Sequence, residues 1–199
     1  MERLAVLRLE NLSGDDSFGW VGRALSEIIA GELAGAGQPR VMSSAGIHAL
    51  DRALGVRPIS APGISAESSQ ALAAGATLLA YGDYTVRNGK LEVRLTIEDA
   101  RTLQATKAIV VACPAGDALA CGTALARQIS SRAVPYGTRN PQALEAYIRA
   151  VESSDATVTE VGLGVAIAAD PDFVPPYRLL AQIKAQRQIG RAHVRTPVT

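Results

Sequence analysis

The sequence predicts an α/β (α+β) fold, a mixed β-sheet flanked by helices, followed by a short all-α segment. Three observations point there. An apolar run, Leu4-Ala5-Val6-Leu7, meets a polar Asn11-Leu12-Ser13-Gly14-Asp15 turn, and a helical pattern follows. Three strand-like runs lie in the middle of the chain, the first two joined by Asn88-Gly89. Beyond residue 140 only helical patterns remain. A strand–helix start, a central meander and a helical end together describe a sheet with helices packed on it and a helical appendage.

Each element has a local reason. Residues 3–10 read as a first strand, apolar on both faces as a strand covered by helices should be. Asp15 and Asp16 are placed to cap the helix that follows. Val21, Leu25, Ile28, Ile29 and Leu33 then recur at helical spacing, and Gly35-Ala36-Gly37-Gln38-Pro39 ends that helix. Arg40-Val41-Met42-Ser43 reads as a short strand, and Ser44 as the cap of a brief helix to about Leu54. Residues 56–65, rich in proline, glycine and serine, read as a loop, and Ala66 to Ala74 as a short helix.

The meander is the clearest part. Thr77–Arg87, Leu91–Glu98 and Leu103–Ala112 are its strands. Asn-Gly favours a type I′ hairpin turn, because both central residues need positive φ. Val93, Leu95 and Ile97 alternate with Glu92, Arg94, Thr96 and Glu98, so the middle strand has one wet face. A helix over about Gly116–Arg132 follows, with Leu119, Ala120, Leu125, Ala126 and Ile129 expected on its buried side. Residues 133–140 read as a linker. Asn140-Pro141 supplies an N-cap and a first-turn proline, and Ala143, Leu144, Tyr147, Ile148 and Val151 an apolar face. Ser153–Asp155 recaps the chain, a second helix runs to Ala169, and a third begins near Val174.

Bulk properties exclude several classes. A chain of 199 residues with 48% hydrophobic and 20% charged residues is long enough for one good core plus an appendage. A net charge of +1 gives no electrostatic reason to expect nucleic acid. No apolar run reaches the roughly 18–20 residues needed to span a bilayer, and Met1-Glu2-Arg3 leads into a strand rather than a signal-peptide core. The compartment is left open, cytoplasmic for the chain as it stands and periplasmic if a membrane segment precedes it. Cys113 and Cys121 flank a loop-to-helix junction; a disulfide is possible, and two buried thiols are the simpler reading.

Ala5-Val6-Leu7, then Glu10-Asn11-Leu12-Ser13-Gly14-Asp15, Trp20 and an amphipathic helix resemble the TolB amino-terminal-like domain of multidomain bacterial proteins. Gly82-Asp83-Tyr84 and Asp99-Ala100-Arg101-Thr102 stand where that family has similar segments. Asn140–Tyr147 and Ala169–Tyr177 are similar to the introduction and junction of tetratricopeptide repeats. The resemblance covers about residues 3–187. Arg8-Leu9 replaces the family's usual Pro-Phe, and fewer than three repeats are present. The organisation expected is an α/β domain over 1–132, a linker over 133–140, partial repeat helices over 141–188 and a tail over 189–199. That tail, Ile189-Gly190-Arg191-Ala192-His193-Val194-Arg195-Thr196-Pro197-Val198-Thr199, matches a translated sequencing adapter at every position but Arg195, where the adapter has a stop.

No catalytic constellation emerges. Glu10, Asp15 and Asp16 could ligate a cation, but caps of a helix start account for the two aspartates equally well. His48 has no nucleophile partner in any motif. Gly35-Ala36-Gly37 and Gly162-Leu163-Gly164 lack a phosphate-loop context and read as a helix terminus and a flexible helix. Arg127, Arg132 and Arg139 read as a solvated face. No metal or cofactor is expected. What the resemblance implies is protein–protein recognition by a non-enzymatic module of a larger bacterial signalling or envelope protein, with Tyr147 and Arg178 on the repeat surface meeting a protein or peptide. The rival is a regulatory domain that binds a small ligand near Asn11–Asp16, at the carboxyl edge of the sheet.

Overall fold

The computed structural model describes residues 2–37, 39–42, 46–47 and 67–194, side chains of 188–194 excepted. The chain divides into two compact units, Met1–Tyr136 and Gly137–Thr199. The expected helix from Ser44 to Leu54, the loop at 56–65 and His48 fall wholly or mostly outside the described residues; Gly46 and Ile47 are helical.

The first unit is a mixed sheet in the order β3-β1-β4-β5-β6, with β2 also pairing β4. Its strands are β1 (Arg3–Val6), β2 (Glu10–Asn11), β3 (Arg40–Met42), β4 (Leu78–Arg87), β5 (Lys90–Asp99) and β6 (Gln104–Pro114). β1 runs parallel to β3 and β4, and β4, β5 and β6 are antiparallel. Helices α1 (Val21–Ala34), α2 (Ser68–Ala73) and α3 (Ala118–Ile129) also belong to the unit. The α+β class is therefore as the patterns indicate.

One expected strand is two. The run 3–10 breaks after Val6 and resumes at Glu10, both pieces pairing with β4. The cause is a close approach: the Leu9 amide donates to the Gly22 carbonyl over 3.3 Å, and a Cβ on Gly22 would lie 2.0 Å from the Leu9 carbonyl oxygen. The backbone of the β1–β2 segment bends to meet α1, and only glycine permits it.

All five apolar residues expected to line α1 are buried, but so are Arg23, Ser26 and Glu32. The Glu32 carboxylate accepts from Thr123 Oγ1 at 2.6 Å and the Tyr136 amide at 3.2 Å, tying α1 to α3 and to the end of the unit. On α3, Asp117 caps the Ala120 amide. Its buried face is Ala118, Cys121, Gly122, Leu125 and Ala126. Ala120, expected inside, is exposed, because the helix turns its small face, Gly122, against Ile28 of α1.

The meander follows its sequence pattern closely. Asn88 and Gly89 both have positive φ, 51° and 71°, as a type I′ turn requires. Leu91, Val93, Leu95 and Ile97 are buried while Arg94 faces solvent. Tyr84 is fully buried, its hydroxyl donating to the Phe18 carbonyl at 2.7 Å. On the sheet's opposite face Ala5, Leu7, Ile47, Ala71, Ala76 and Leu79 form a smaller cluster under α2, with Met42, Tyr81 and Ala100 packed against it. Cys113 and Cys121 are joined by a disulfide that ties the end of β6 to α3, with 5.8 Å between their Cα atoms. The simpler reading of two free thiols is thus replaced; the β6–α3 turn brings the two residues together.

Among its described residues the second unit holds three helices, α4 (Pro141–Glu152), α5 (Ala156–Ala169) and α6 (Val174–Val194). Asn140 caps α4 by accepting from the amides of Gln142 and Ala143 at 3.0 and 3.2 Å. Asp155 caps α5 through Thr157 and Val158 at 2.7 and 3.1 Å. Asn140 Nδ2 also donates to the Ala169 carbonyl, so the start of α4 is fastened to the end of α5.

Gly162 corrects its sequence reading. It is not a flexible point: an added Cβ would sit 3.0 Å from Ala150 Cβ, so the glycine lets α4 and α5 approach closely. Gly164 faces open space. Gly164→Ala should therefore stabilise the second unit by about 0.5–1 kcal/mol, by helix propensity alone, whereas Gly162→Ala should give no such gain. Thermal unfolding of the two variants checks the contrast.

Candidate functional site

The polar turn after β2 is built inward. Asn11 Nδ2 donates to the Asp15 carbonyl at 2.8 Å. Asn11 Oδ1 accepts from the Ser13 amide at 2.9 Å and from its hydroxyl. Asp15 Oδ1 accepts from the Ser17 amide at 2.9 Å, capping the short 3-10 turn Asp16–Phe18. Hydrogen bonds from Ser17 hold the Asp15 carboxyl below its ordinary range. The aspartates were expected to cap α1; instead Trp20 occupies the N-cap of α1 without a side-chain bond, because the 3-10 turn intervenes. Among the described residues no group of three or more His, Cys, Asp or Glu side chains is placed to hold a metal ion.

Beside this turn lies a buried ion pair that the sequence did not reveal. Arg23 is fully buried and its guanidinium meets the Glu67 carboxylate, with a second contact of 3.2 Å. Glu67 Oε2 also accepts from the Arg8 amide at 3.1 Å, and Arg8 NH2 donates to the Gly19 carbonyl at 3.0 Å. Arg8, one of the residues that depart from the family pattern, thus helps fasten the end of β1 to the loop before α1. The one available signal was an arginine amid the apolar start of a helix, Val21-Gly22-Arg23-Ala24-Leu25. Its partner, far along the chain, left no periodic trace.

The residues expected on the repeat surface separate. Tyr147 is buried and meets Phe173 edge-on, ring centroids 5.3 Å apart. It is a packing residue, which corrects its expected role as a surface contact; an aromatic on the apolar face of α4 has a core to fill first. Arg178 on α6 is exposed. Arg127, Arg132 and Arg139 are each exposed as well.

What the sequence reading missed is the outer face of α5. Thr159, Leu163 and Ala166 are its buried side. Val158, Val161 and Val165 are 56%, 63% and 53% exposed. With exposed Ala168 they follow one another at intervals of three or four residues and form a single apolar stripe. Val174 and Tyr177 on α6 are exposed too. Apolar residues at this spacing on an uncovered helix face are the pattern that another helix covers.

Asp155, which caps this helix, has its carboxyl held below the ordinary range by the amides of Val158 and Thr157. A depressed value means the cap stabilises above the unfolded aspartate value of about 3.9 and is lost as pH falls through the folded value. Titration below about pH 4 should therefore move the Thr157 and Val158 amide resonances together. Asp155→Asn, a neutral cap, should abolish that movement.

No family model matches the sequence, and no curated protein matches it. Solved structures do. TolB from Acinetobacter baumannii is similar at 16% identity over 66% of this chain and 28% of its own, with a TM-score of 0.36. The LpoB C-terminal domain from Salmonella enterica is similar at 13% identity over 57% of this chain and 82% of its own, with a TM-score of 0.36. The lipoprotein GNA1162 from Neisseria meningitidis is similar at 14% identity over 65% of this chain and 97% of its own, with a TM-score of 0.40. The chain thus spans little more than a quarter of the TolB structure, and all three are distant likenesses.

Proposed function

We propose that this chain is a non-catalytic protein-binding module of a larger bacterial signalling or envelope protein. The observation that carries the reading is the uncovered apolar stripe Val158, Val161, Val165 and Ala168 on α5. A stripe at helical spacing suits an amphipathic helix of a partner, laid along it with its apolar side inward. The three helices are read as a tetratricopeptide-like pair opening onto the start of the next repeat, and exposed Arg178 supplies a polar contact on the same unit.

The small-ligand reading has less support. The Asn11 side chain is engaged by Ser13 and the Asp15 backbone carbonyl, and the Asp15 carboxylate by the Ser17 amide, rather than aimed toward a shared space where a ligand would sit. Immobilised chain and its Val161→Asp/Val165→Asp variant, each challenged with bacterial lysate, test the proposal. Both positions are exposed, so the variant should keep its helical content and unfolding midpoint while losing proteins that the parent retains. The same retained proteins on both surfaces would overturn the reading.

A further inference from the structure

Strand β6 ends the sheet, and among the described residues no strand pairs with its outer edge. An unpaired edge is a template for another chain, and folded proteins usually blunt it with a bulge, a lysine or a proline. β6 has all three, but only near its ends. The pairing with β5 shifts register between Ile97 and Glu98, which oppose Lys107 and Ala105 and leave Thr106 as the extra residue. Lys107 is the strand's only charge, and Pro114 closes it. Between them runs Ala108-Ile109-Val110-Val111-Ala112, uncharged, β-prone and free of proline and glycine.

This stretch is nearly symmetric about Val110. Alanines stand two residues to either side and β-branched residues one to either side. The features that end a ladder are symmetric too: the bulged Thr106 and Pro114 are equally far from Val110. Val110 itself is 61% exposed. We propose that β6 pairs antiparallel with β6 of a second copy of this chain, about a two-fold axis at Val110.

That register sets Ala108 opposite Ala112, Ile109 opposite Val111, and Lys107 opposite Cys113, with residues that share a sheet face facing each other. The ladder begins at a bulge and ends at a proline on both copies, so the pairing stops at the same place at either end. The two Lys107 residues would stand six residues apart along the ladder, about 20 Å at the strand rise of roughly 3.4 Å, well beyond the screening length of about 8 Å. The contact is isologous, as a two-fold dimer requires, and it joins two sheets into one.

Sedimentation equilibrium of the full chain across about 1–100 μM, with cysteine trapping, tests it. The parent should show a concentration-dependent monomer–dimer equilibrium. Val110→Glu places like charges opposite each other on the axis while facing Arg94 of β5 with an opposite charge, and should weaken dimerisation at least tenfold without changing the circular dichroism spectrum. Val110→Cys should cross-link to itself under mild oxidation. Ala108→Cys should not cross-link to itself but should do so when mixed with Ala112→Cys. A monomer at every concentration overturns the proposal. So does a dimer indifferent to Val110→Glu, or Ala108→Cys cross-linking to itself as readily as Val110→Cys.

Discussion

Gly22→Ala is expected to destabilise the first unit by about 3 kcal/mol or more, at the upper end of what overpacking costs. The added methyl would lie 2.0 Å from the Leu9 carbonyl oxygen and 3.2 Å from Tyr84 Cε1. Neither neighbour can easily yield. Leu9 is backbone at the break between β1 and β2, and Tyr84 is fully buried with its hydroxyl fixed on Phe18. Alanine raises intrinsic helix propensity, so propensity alone predicts the opposite sign. Urea unfolding followed by circular dichroism distinguishes them: a large fall in the midpoint supports the close approach, and a rise refutes it.

The second large effect is at the buried ion pair. Glu67→Ala removes one member of a buried ion pair, which costs about 3–5 kcal/mol in comparable cases. It also removes the acceptor of the Arg8 amide. Replacing both members, Arg23→Met with Glu67→Leu, removes both charges of the pair and should recover most of the loss. A double variant no more stable than Glu67→Ala would mean that the pair's main role lies in the Arg8 contact rather than in compensating Arg23.

These two positions also mark where the sequence stopped being readable. The hairpin, the alternation of β5 and the caps at Asn140 and Asp155 are local: each depends on residues within a few positions of one another. They were legible for that reason. The break of the first strand was not, because Leu7-Arg8-Leu9 reads as continuous strand and only the arrival of α1 at Gly22 bends it. Arg23 and Glu67 are 44 residues apart, and no periodic pattern joins them.

The candidate site was less legible than the fold. Tyr147 and Val161 show why. An aromatic on an amphipathic helix can fill a core or meet a partner, and the choice depends on whether Phe173 comes back to cover it. Helix α5 carries apolar residues nearly all round, so its periodicity could not say which side would be left uncovered. Packing decides that: Thr159, Leu163 and Ala166 are taken inward and Gly162 lies close to Ala150 of α4, which leaves Val158, Val161 and Val165 exposed.

Site-specific photo-crosslinking tests the claim that this outward face meets a protein. A photoreactive phenylalanine analogue would be placed at Val161, at Val165 and, as the control, at exposed Arg149 on α4 of the same unit. Irradiation in bacterial cells producing the chain should yield discrete protein adducts from positions 161 and 165 and none from 149. Folded protein giving no adduct at either valine, or equal adducts at Arg149, would contradict it.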